Sequence, residues 1–316
     1  MRLAVLVTGG AGFIGSHTVD RLLAEGHSVR VIDNLSSGAR VNLPAHHPQF
    51  EFIHADVNDA GQLRSAMSGV DSCLHLAAQI SVERSLADPV YSAEQNIMGS
   101  IQVLQAARDM GLSRVVYSSS AAVYGNPDRL SLDEMTPLQP LSPYGIEKQI
   151  LEQYAGFYTQ TFGLSCMGLR YFNVYGPRQN GASPYSGVIA KFIDALLTGE
   201  PLRIFGDGLQ QRDFIYVQDV VAANMAALQA NCQGVCNVAT GRLTNLLDLV
   251  RALEVLTGQN IRPVFNTMRQ GDIRNSLGHV GRLREWLGVS ARWSLHEGLK
   301  ELLAHEAAKL DQVYEA

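Results

Sequence analysis

Leu3-Ala4-Val5-Leu6-Val7-Thr8-Gly9-Gly10-Ala11-Gly12-Phe13-Ile14-Gly15 reads as a strand that runs into a glycine turn. Leu3 to Val7 is a short aliphatic run of the kind that forms a strand buried in a parallel sheet. Ser16 to Glu25 then reads as a helix, so glycines 9, 12 and 15 sit between strand and helix as Gly-x-x-Gly-x-x-Gly. Each has a physical task. Gly9 permits a tight turn, Gly12 lets backbone N–H groups approach a diphosphate, and Gly15 lets helix and strand lie close. The helix N-terminus adds free donors and the positive end of its dipole. This pattern points to a dinucleotide.

The next strand, His27 to Ile32, ends at Asp33. A carboxylate roughly 20 residues past such glycines suits the ribose hydroxyls of NAD and would repel the extra phosphate of NADP. Further strands are expected at Phe50–His54, Val70–Leu76, Arg114–Tyr117 and Leu164–Leu169, with helices at Gln62–Met67, Asn96–Met110 and Ser142–Phe162. This alternation predicts an α/β fold with a doubly wound parallel sheet, whose ligands bind beyond the carboxyl ends of the strands. Residues 174–187 are rich in Gly, Pro, Asn and Ser and predict a long loop. Helices are expected beyond it at Val188–Thr198, Val217–Ala230, Leu246–Leu256 and Gly281–Leu287. Short strands are expected near Leu202–Phe205, Val235–Val238 and Arg262–Val264. The resulting division is residues 1–173 as an NAD-binding domain, with about 215–240 returning to it, and 174–316 as a smaller mixed α/β substrate domain across a cleft.

Composition narrows the function. The chain has 316 residues, a formal net charge of −5 and no basic cluster, which argues against a nucleic-acid partner. No apolar run approaches the ~18 residues of a membrane span. Thr8-Gly9-Gly10 interrupts the apolar start and no cleavage site follows, so the expected location is the cytoplasm. Of the four cysteines, Cys73 and Cys166 lie in apolar runs, and Cys232 and Cys236 have no second pair at zinc spacing. His75, within Cys73-Leu74-His75-Leu76, reads as a satisfied core histidine. No catalytic metal is predicted.

The chemistry is concentrated in Tyr144-Gly145-Ile146-Glu147-Lys148. Tyr and Lys four apart share one face of a helix. An ammonium beside a phenol favours the phenolate and lowers its pKa from near 10, toward the range where a base works. Ser120, just past the fifth strand, is placed to hydrogen-bond the same substrate oxygen.

With these residues in hand, the chain resembles an extended short-chain dehydrogenase/reductase, more narrowly the UDP-hexose 4-epimerases, and is nearest to bacterial UDP-N-acetylglucosamine 4-epimerases. The resemblance runs from Val5 to about Gly298. It rests on the glycine turn, Asp33-Asn34-Leu35, Ser118-Ser119-Ser120-Ala121-Ala122-Val123-Tyr124-Gly125, Ser142-Pro143-Tyr144-Gly145, Arg170-Tyr171-Phe172-Asn173 and Arg212-Asp213-Phe214. It implies Ser120, Tyr144 and Lys148 as catalytic residues. It implies Gly9, Gly12, Phe13 and Ile14 at the diphosphate, Asp33 at the adenosine ribose with Asn34, Ser37 and Gly38 nearby, and Asp56 and Val57 beside adenine. Leu76, Ala77 and Ala78 would back the ribose and diphosphate. Asn96, Ser118, Lys148 and Tyr171 would complete the NAD site.

For substrate the resemblance implies Asn173, Arg212, Arg269 and Asp272 at the UDP part, the arginines as phosphate clamps. Aligned on Gly271-Asp272, Ser276 falls at the position that limits sugar size. A small residue there admits an N-acetyl group without excluding glucose and galactose. Ala121 and Ala122 replace the acid pair that a 4,6-dehydratase needs for elimination. A UDP-glucuronate 4-epimerase or decarboxylase stays open, as does a dinucleotide-binding regulator without catalysis. A homodimer is expected through Ile97–Met110 and Ile150–Phe162, with Leu104, Leu151 and Tyr158 as contacts.

Overall fold

The computed structural model describes residues 2–181, 187–268 and 273–314. Its first half alternates strand and helix: β1 (Ala4–Thr8), α1 (Phe13–Ala24), β2 (Ser28–Asp33), β3 (Phe50–His54), α2 (Ala60–Met67) and β4 (Ser72–His75). Between β4 and the next long helix lie two short helices, α3 (Val82–Ala87) and α4 (Pro89–Ala93), and a π turn over Glu94–Met98. Then come α5 (Gly99–Asp109), β5 (Arg114–Ser120), β6 (Ser131–Leu132), α6 (Pro143–Phe162) and β7 (Ser165–Tyr171).

The second half contains β8 (Asn173–Tyr175), α7 (Val188–Thr198), β9 (Arg203–Phe205), β10 (Gln211–Arg212), β11 (Phe214–Tyr216) and α8 (Val217–Gln229). It continues with β12 (Gly234–Val238), β13 (Thr244–Asn245), α9 (Leu246–Thr257), β14 (Val264–Asn266), β15 (Asn275–Gly278), α10 (Gly281–Leu287) and α11 (Leu295–Tyr314). The long loop expected over 174–187 begins instead with β8, because Asn173–Tyr175 pairs in parallel with Phe214–Tyr216.

Seven parallel strands form the main sheet in the order β12-β7-β5-β4-β1-β2-β3. The order reverses at β1, which pairs β2 on one side and β4 on the other. In open α/β sheets the ligand crevice lies at such a switch point. Both faces are covered, as an aliphatic parallel sheet requires. Val5, Val7, Val31, Leu74, Val116 and Leu169 pack toward α1 and α8, with Val19, Leu22, Val220 and Ala223 facing them. Leu6, Ile32, Cys73, Val115 and Cys166 pack on the other face against α2, α5 and α6. A four-stranded sheet, β13-β10-β15-β6, and two strand pairs, β11-β8 and β14-β9, stand beyond the C-terminal edge of the main sheet. Their support is a separate core of Ile189, Phe192, Ile204, Leu249, Leu253 and Leu299. Among the described residues no helix is long and apolar enough to cross a membrane.

The helix faces correct one expectation. Leu104, Leu151 and Tyr158 are 1%, 3% and 5% exposed and belong to the subunit's own core. They lie on the inward stripe of α5 and α6. The outward face of α6 carries Tyr154, Phe157 and Phe162 instead.

Candidate active site

The glycine turn abuts the residues that follow β4. Gly9 has φ +69°, and a Cβ there would lie 2.7 Å from the backbone nitrogen of Ala77. Gly15 carries the tightest approach in the turn: a Cβ would sit 2.3 Å from the carbonyl oxygen of Gly9. It therefore holds α1 against its own turn, where the spacing had suggested contact with the strand. Gly12 caps α1 with no side-chain hydrogen bond, and no acid occupies the helix's first turn, where Phe13 and Ile14 stand. Donors and the positive dipole end are thus offered at this point.

Asp33 closes β2 and is 7% exposed. One carboxylate oxygen accepts from Ala11 N at 2.9 Å and the other from Leu35 N at 2.8 Å. Burial raises its pKa, while these two N–H groups pull the other way. Each oxygen keeps a second lone pair for a ribose hydroxyl. The bond to Leu35 also holds that residue at φ +58°, an unusual state for a leucine. Asn34 and Ser37 are exposed. Asn34 donates to Asp56 at 2.7 Å, and Asp56 accepts from Asn58 N at 2.8 Å. Gly38 packs on Ala11, and Val57 is buried. Leu76, Ala77 and Ala78 follow β4, with Leu76 N and Ala77 N donating to Thr8 Oγ1 at 3.2 and 3.1 Å. An uncapped helix start, a turn that closes only with glycine and a carboxylate with spare lone pairs fit a dinucleotide.

Two residues expected beside the cofactor have their side chains engaged elsewhere. Asn96 is 3% exposed; its Oδ1 accepts from Gln79 N at 2.8 Å, and its Nδ2 donates to Gln79 O at 2.8 Å and Glu147 Oε2 at 2.6 Å. Tyr171 donates its hydroxyl to Asn224 Oδ1 at 2.7 Å on the α8 face, which leaves only its ring to border the cleft.

The helix carrying the tyrosine and lysine begins at Ser142, whose hydroxyl accepts from Gly145 N at 3.2 Å, with Pro143 in the first helical position. Tyr144 and Lys148 stand one turn apart, and Lys148 Nζ lies 5.8 Å from the centroid of the Tyr144 ring. Lys148 Nζ donates to Ser118 O at 3.0 Å and Ser118 Oγ at 3.3 Å. Ser120 Oγ accepts from Ala122 N at 3.1 Å, and its hydroxyl acts on the Tyr144 phenol. Burial draws the Lys148 ammonium down to about 8, with Glu147 opposing that shift. The expected lowering of Tyr144 is not what the surroundings produce. Burial pushes its phenol up, the Ser120 hydrogen bond pulls it down and Glu147 pushes it up again. The net direction for the phenol is upward.

His75 is 3% exposed beneath this pair. Its Nδ1 lies 2.8 Å from Thr8 Oγ1 and its Nε2 lies 3.1 Å from Ser100 Oγ. Thr8 Oγ1 already accepts two backbone N–H bonds, so its own proton goes to Nδ1 and the imidazole carries its proton on Nε2. Burial, then the charge of Lys148, brings its pKa to about 3. The side chain is a satisfied core histidine. Among the described residues no group of three His, Cys, Asp or Glu is arranged to hold a metal.

Among the shorter strands, Arg212 (β10) and Ser276 (β15) are register partners in parallel strands, and Asn173 opens β8. Arg212 Nη1 donates to Gln211 O at 3.0 Å, and Ser276 is 7% exposed. Asp213, beside Arg212, accepts from Thr240 N, Thr240 Oγ1 and Gly241 N at 2.8, 2.6 and 2.9 Å, fixing these strands to the end of β12. Arg269 and Asp272 lie outside the described residues. The buried acids Glu147 and Asp213 and the half-buried Glu152 carry no signal of their role in the sequence. Glu152, paired with Arg170 at 2.7 Å and accepting from Ser119 at 2.6 Å, is signalled only by its inward phase on α6.

The fold and this cluster define a dinucleotide-dependent enzyme with a Ser/Tyr/Lys set. The chain belongs to the NAD dependent epimerase/dehydratase family, whose model matches residues 5–239, and NAD is its cofactor. Among relatives, a UDP-glucose 4-epimerase of Mycolicibacterium smegmatis is 42% identical over 94% of this chain and 96% of its own. A UDP-N-acetylglucosamine 4-epimerase from Methanobrevibacter ruminantium, solved with UDP-N-acetylmuramic acid, superposes with a TM-score of 0.94 at 37% identity, covering 98% of this chain and 99% of the other. A Thermotoga maritima UDP-glucose 4-epimerase with UDP-glucose gives 0.93 at 38% identity over 98% and 100%.

Proposed function

We propose that the protein inverts C4 of a UDP-hexose, interconverting UDP-GlcNAc with UDP-GalNAc and accepting UDP-glucose and UDP-galactose as well. The reading rests on one observation: Tyr144 and Lys148 stand together on α6, and Lys148 is tied to Ser118 at the end of β5, the strand that Ser120 closes. The relatives named above support the reaction class. In this reading residues 1–173, with about 215–240, hold NAD, and 174–316 mainly hold the UDP-sugar.

Gly9, Gly12, Phe13 and Ile14 bind the diphosphate of NAD and Asp33 its adenosine ribose. Asn34, Ser37, Gly38, Asp56 and Val57 enclose the adenosine end, and Leu76, Ala77 and Ala78 back the ribose and diphosphate. NAD held by these residues would supply the hydride chemistry, as acceptor of hydride from sugar C4 and donor of it to the opposite face of the 4-keto sugar. Tyr144 takes the proton of the 4-hydroxyl and later gives it back. Lys148 stabilises the phenolate by its charge and, through Ser118, stays fixed to the strand end. Ser120 orients the reacting oxygen. Asn173 and Arg212 grip the UDP part, together with Arg269 and Asp272, while the sugar turns over.

The small side chain of Ser276 supports the wider sugar range, since a bulky residue excludes an acetamido group and a small one admits it. Ala121 and Ala122 bring no acid to the strand end, which favours epimerisation over dehydration. We also expect a homodimer, formed through the outward face of α6. The test is to offer UDP-Glc, UDP-Gal, UDP-GlcNAc, UDP-GalNAc and UDP-glucuronate to the purified protein and resolve the products. Interconversion of both hexose pairs is expected. Turnover of UDP-glucuronate alone, or release of carbon dioxide from it, would reassign the substrate.

A further inference from the structure

Glu147 stands between the two residues that the proposed chemistry uses, yet that chemistry gives it no task. It is 3% exposed. A carboxylate so placed is costly unless its oxygens are engaged. Here Oε2 accepts from Asn96 Nδ2 at 2.6 Å and from Ser92 Oγ at 2.9 Å. Asn96 holds the main chain of Gln79 by both ends of its amide. The Gln79 side chain donates to Ser92 Oγ and to Ser81 O, each at 3.0 Å, and accepts from Ser81 N. A second tie lies one turn earlier on α6, where Tyr144 N donates to Ser85 Oγ of α3 at 3.2 Å. The segment from β4 to α5 begins with Leu76–Ala78 against the glycine turn, and it is bolted to α6 at these two points. The π turn over Glu94–Met98 places Asn96 within this network, and such turns recur at functional sites.

We propose that Glu147 is a positioning residue for the epimerisation, its carboxylate locking the Tyr144–Lys148 turn onto the loop that backs the cofactor and serving as the anion against which both side chains ionise. The proposal rests on Tyr144 being the base. A negative charge at this point favours the protonated form of Lys148 and of Tyr144 alike. The other groups facing the pair do not compete: His75 from β4 is neutral, Ser118 and Ser120 come from β5, and Ser85, Ser92 and Asn96 come from α3, α4 and the π turn. Removing the charge therefore moves both ionisations to lower pH, whereas a merely structural residue would change amplitude alone.

Glu147→Gln keeps the length and an oxygen that accepts from Asn96 and Ser92. Its pH profile of kcat/KM should shift as a whole to lower pH, by roughly one unit on each limb, with NAD retained. Glu147→Ala removes the acceptor as well and should weaken NAD retention roughly tenfold by leaving one Asn96 N–H and the Ser92 hydroxyl without their acceptor. A Glu147→Gln profile with unmoved limbs, or Glu147→Ala protein that retains NAD like the wild type, would overturn the proposal. Retention of NAD is read without turnover, so the two failures are distinguishable: a wild-type protein that turns over no UDP-hexose sinks the proposed function and this proposal with it, whereas an active wild type whose Glu147→Gln limbs do not move sinks this proposal alone.

Discussion

His75 shows how far one buried side chain commits its surroundings. Its hydrogen bonds run from the Leu76 and Ala77 N–H groups through Thr8 to the imidazole, and on through Ser100 to the carbonyl of Asn96, 2.5 Å away. The chain works only with a neutral ring. The folded pKa of about 3 lies below the ordinary 6.5, so between those values the unfolded state binds the extra proton. Stability is therefore full above about pH 6.5 and is lost on acidification, with a slope of up to about 1.4 kcal/mol per pH unit from this group. Urea melts of wild type and His75→Gln between pH 7 and 4 should show a shallower loss in the variant; parallel curves would remove His75 from the explanation. Ser276 is the other residue with a separable effect. Ser276→Tyr should lower kcat/KM for the acetylated sugars by roughly tenfold or more relative to UDP-glucose, in line with what steric exclusion of a small group achieves. Equal loss on both sugar types would detach Ser276 from specificity.

Among the elements, the glycine turn is the least tolerant. Gly15→Ala would set a methyl 2.3 Å from the Gly9 carbonyl, and backbone must move to relieve it. A loss of about 1–3 kcal/mol is expected, together with weaker NAD retention. An unchanged melt and full retention would mean that the turn relaxes freely. Legibility also differs by element. The main strands and α6 are readable because an aliphatic run in a parallel sheet is continuous and a long helix repeats its stripe. The helices α3, α4 and α11 are hard to read from the sequence although their start signals are present: Ser81 and Asp88 cap α3 and α4, and Ser294 with Glu297 forms a reciprocal capping box. The first two are too short for a periodic stripe, and α11 follows a stretch with no strand to frame it. Among site residues, the glycines, Asp33, Tyr144 and Lys148 declare themselves by spacing. Glu147 and Asp213 do not, because a buried acid looks like a surface one until its partners, Asn96 and Thr240, are seen across the fold.

At the scale of the molecule, the main sheet presents the ends of β1, β2, β4, β5 and β7 along one edge, and the smaller sheet with Arg212 and Ser276 stands beyond it. The outward face of α6 adds Tyr154, Phe157 and Phe162, which are 39%, 51% and 43% exposed and include a Phe157–Phe162 edge contact at 5.6 Å. Such a patch on a helix suits pairing with a second copy. Phe157→Glu should convert a dimer to a monomer in light scattering; a monomeric wild type would dismiss the pairing. The proposed reaction turns on proton exchange at Tyr144, and the most direct measurement of it is the turnover of Tyr144→Phe, with bound NAD quantified in the same sample. Retained NAD with epimerisation lowered at least 100-fold is the expected result, within the range for loss of a general base. Near-wild-type turnover by that variant would contradict Tyr144 as the base.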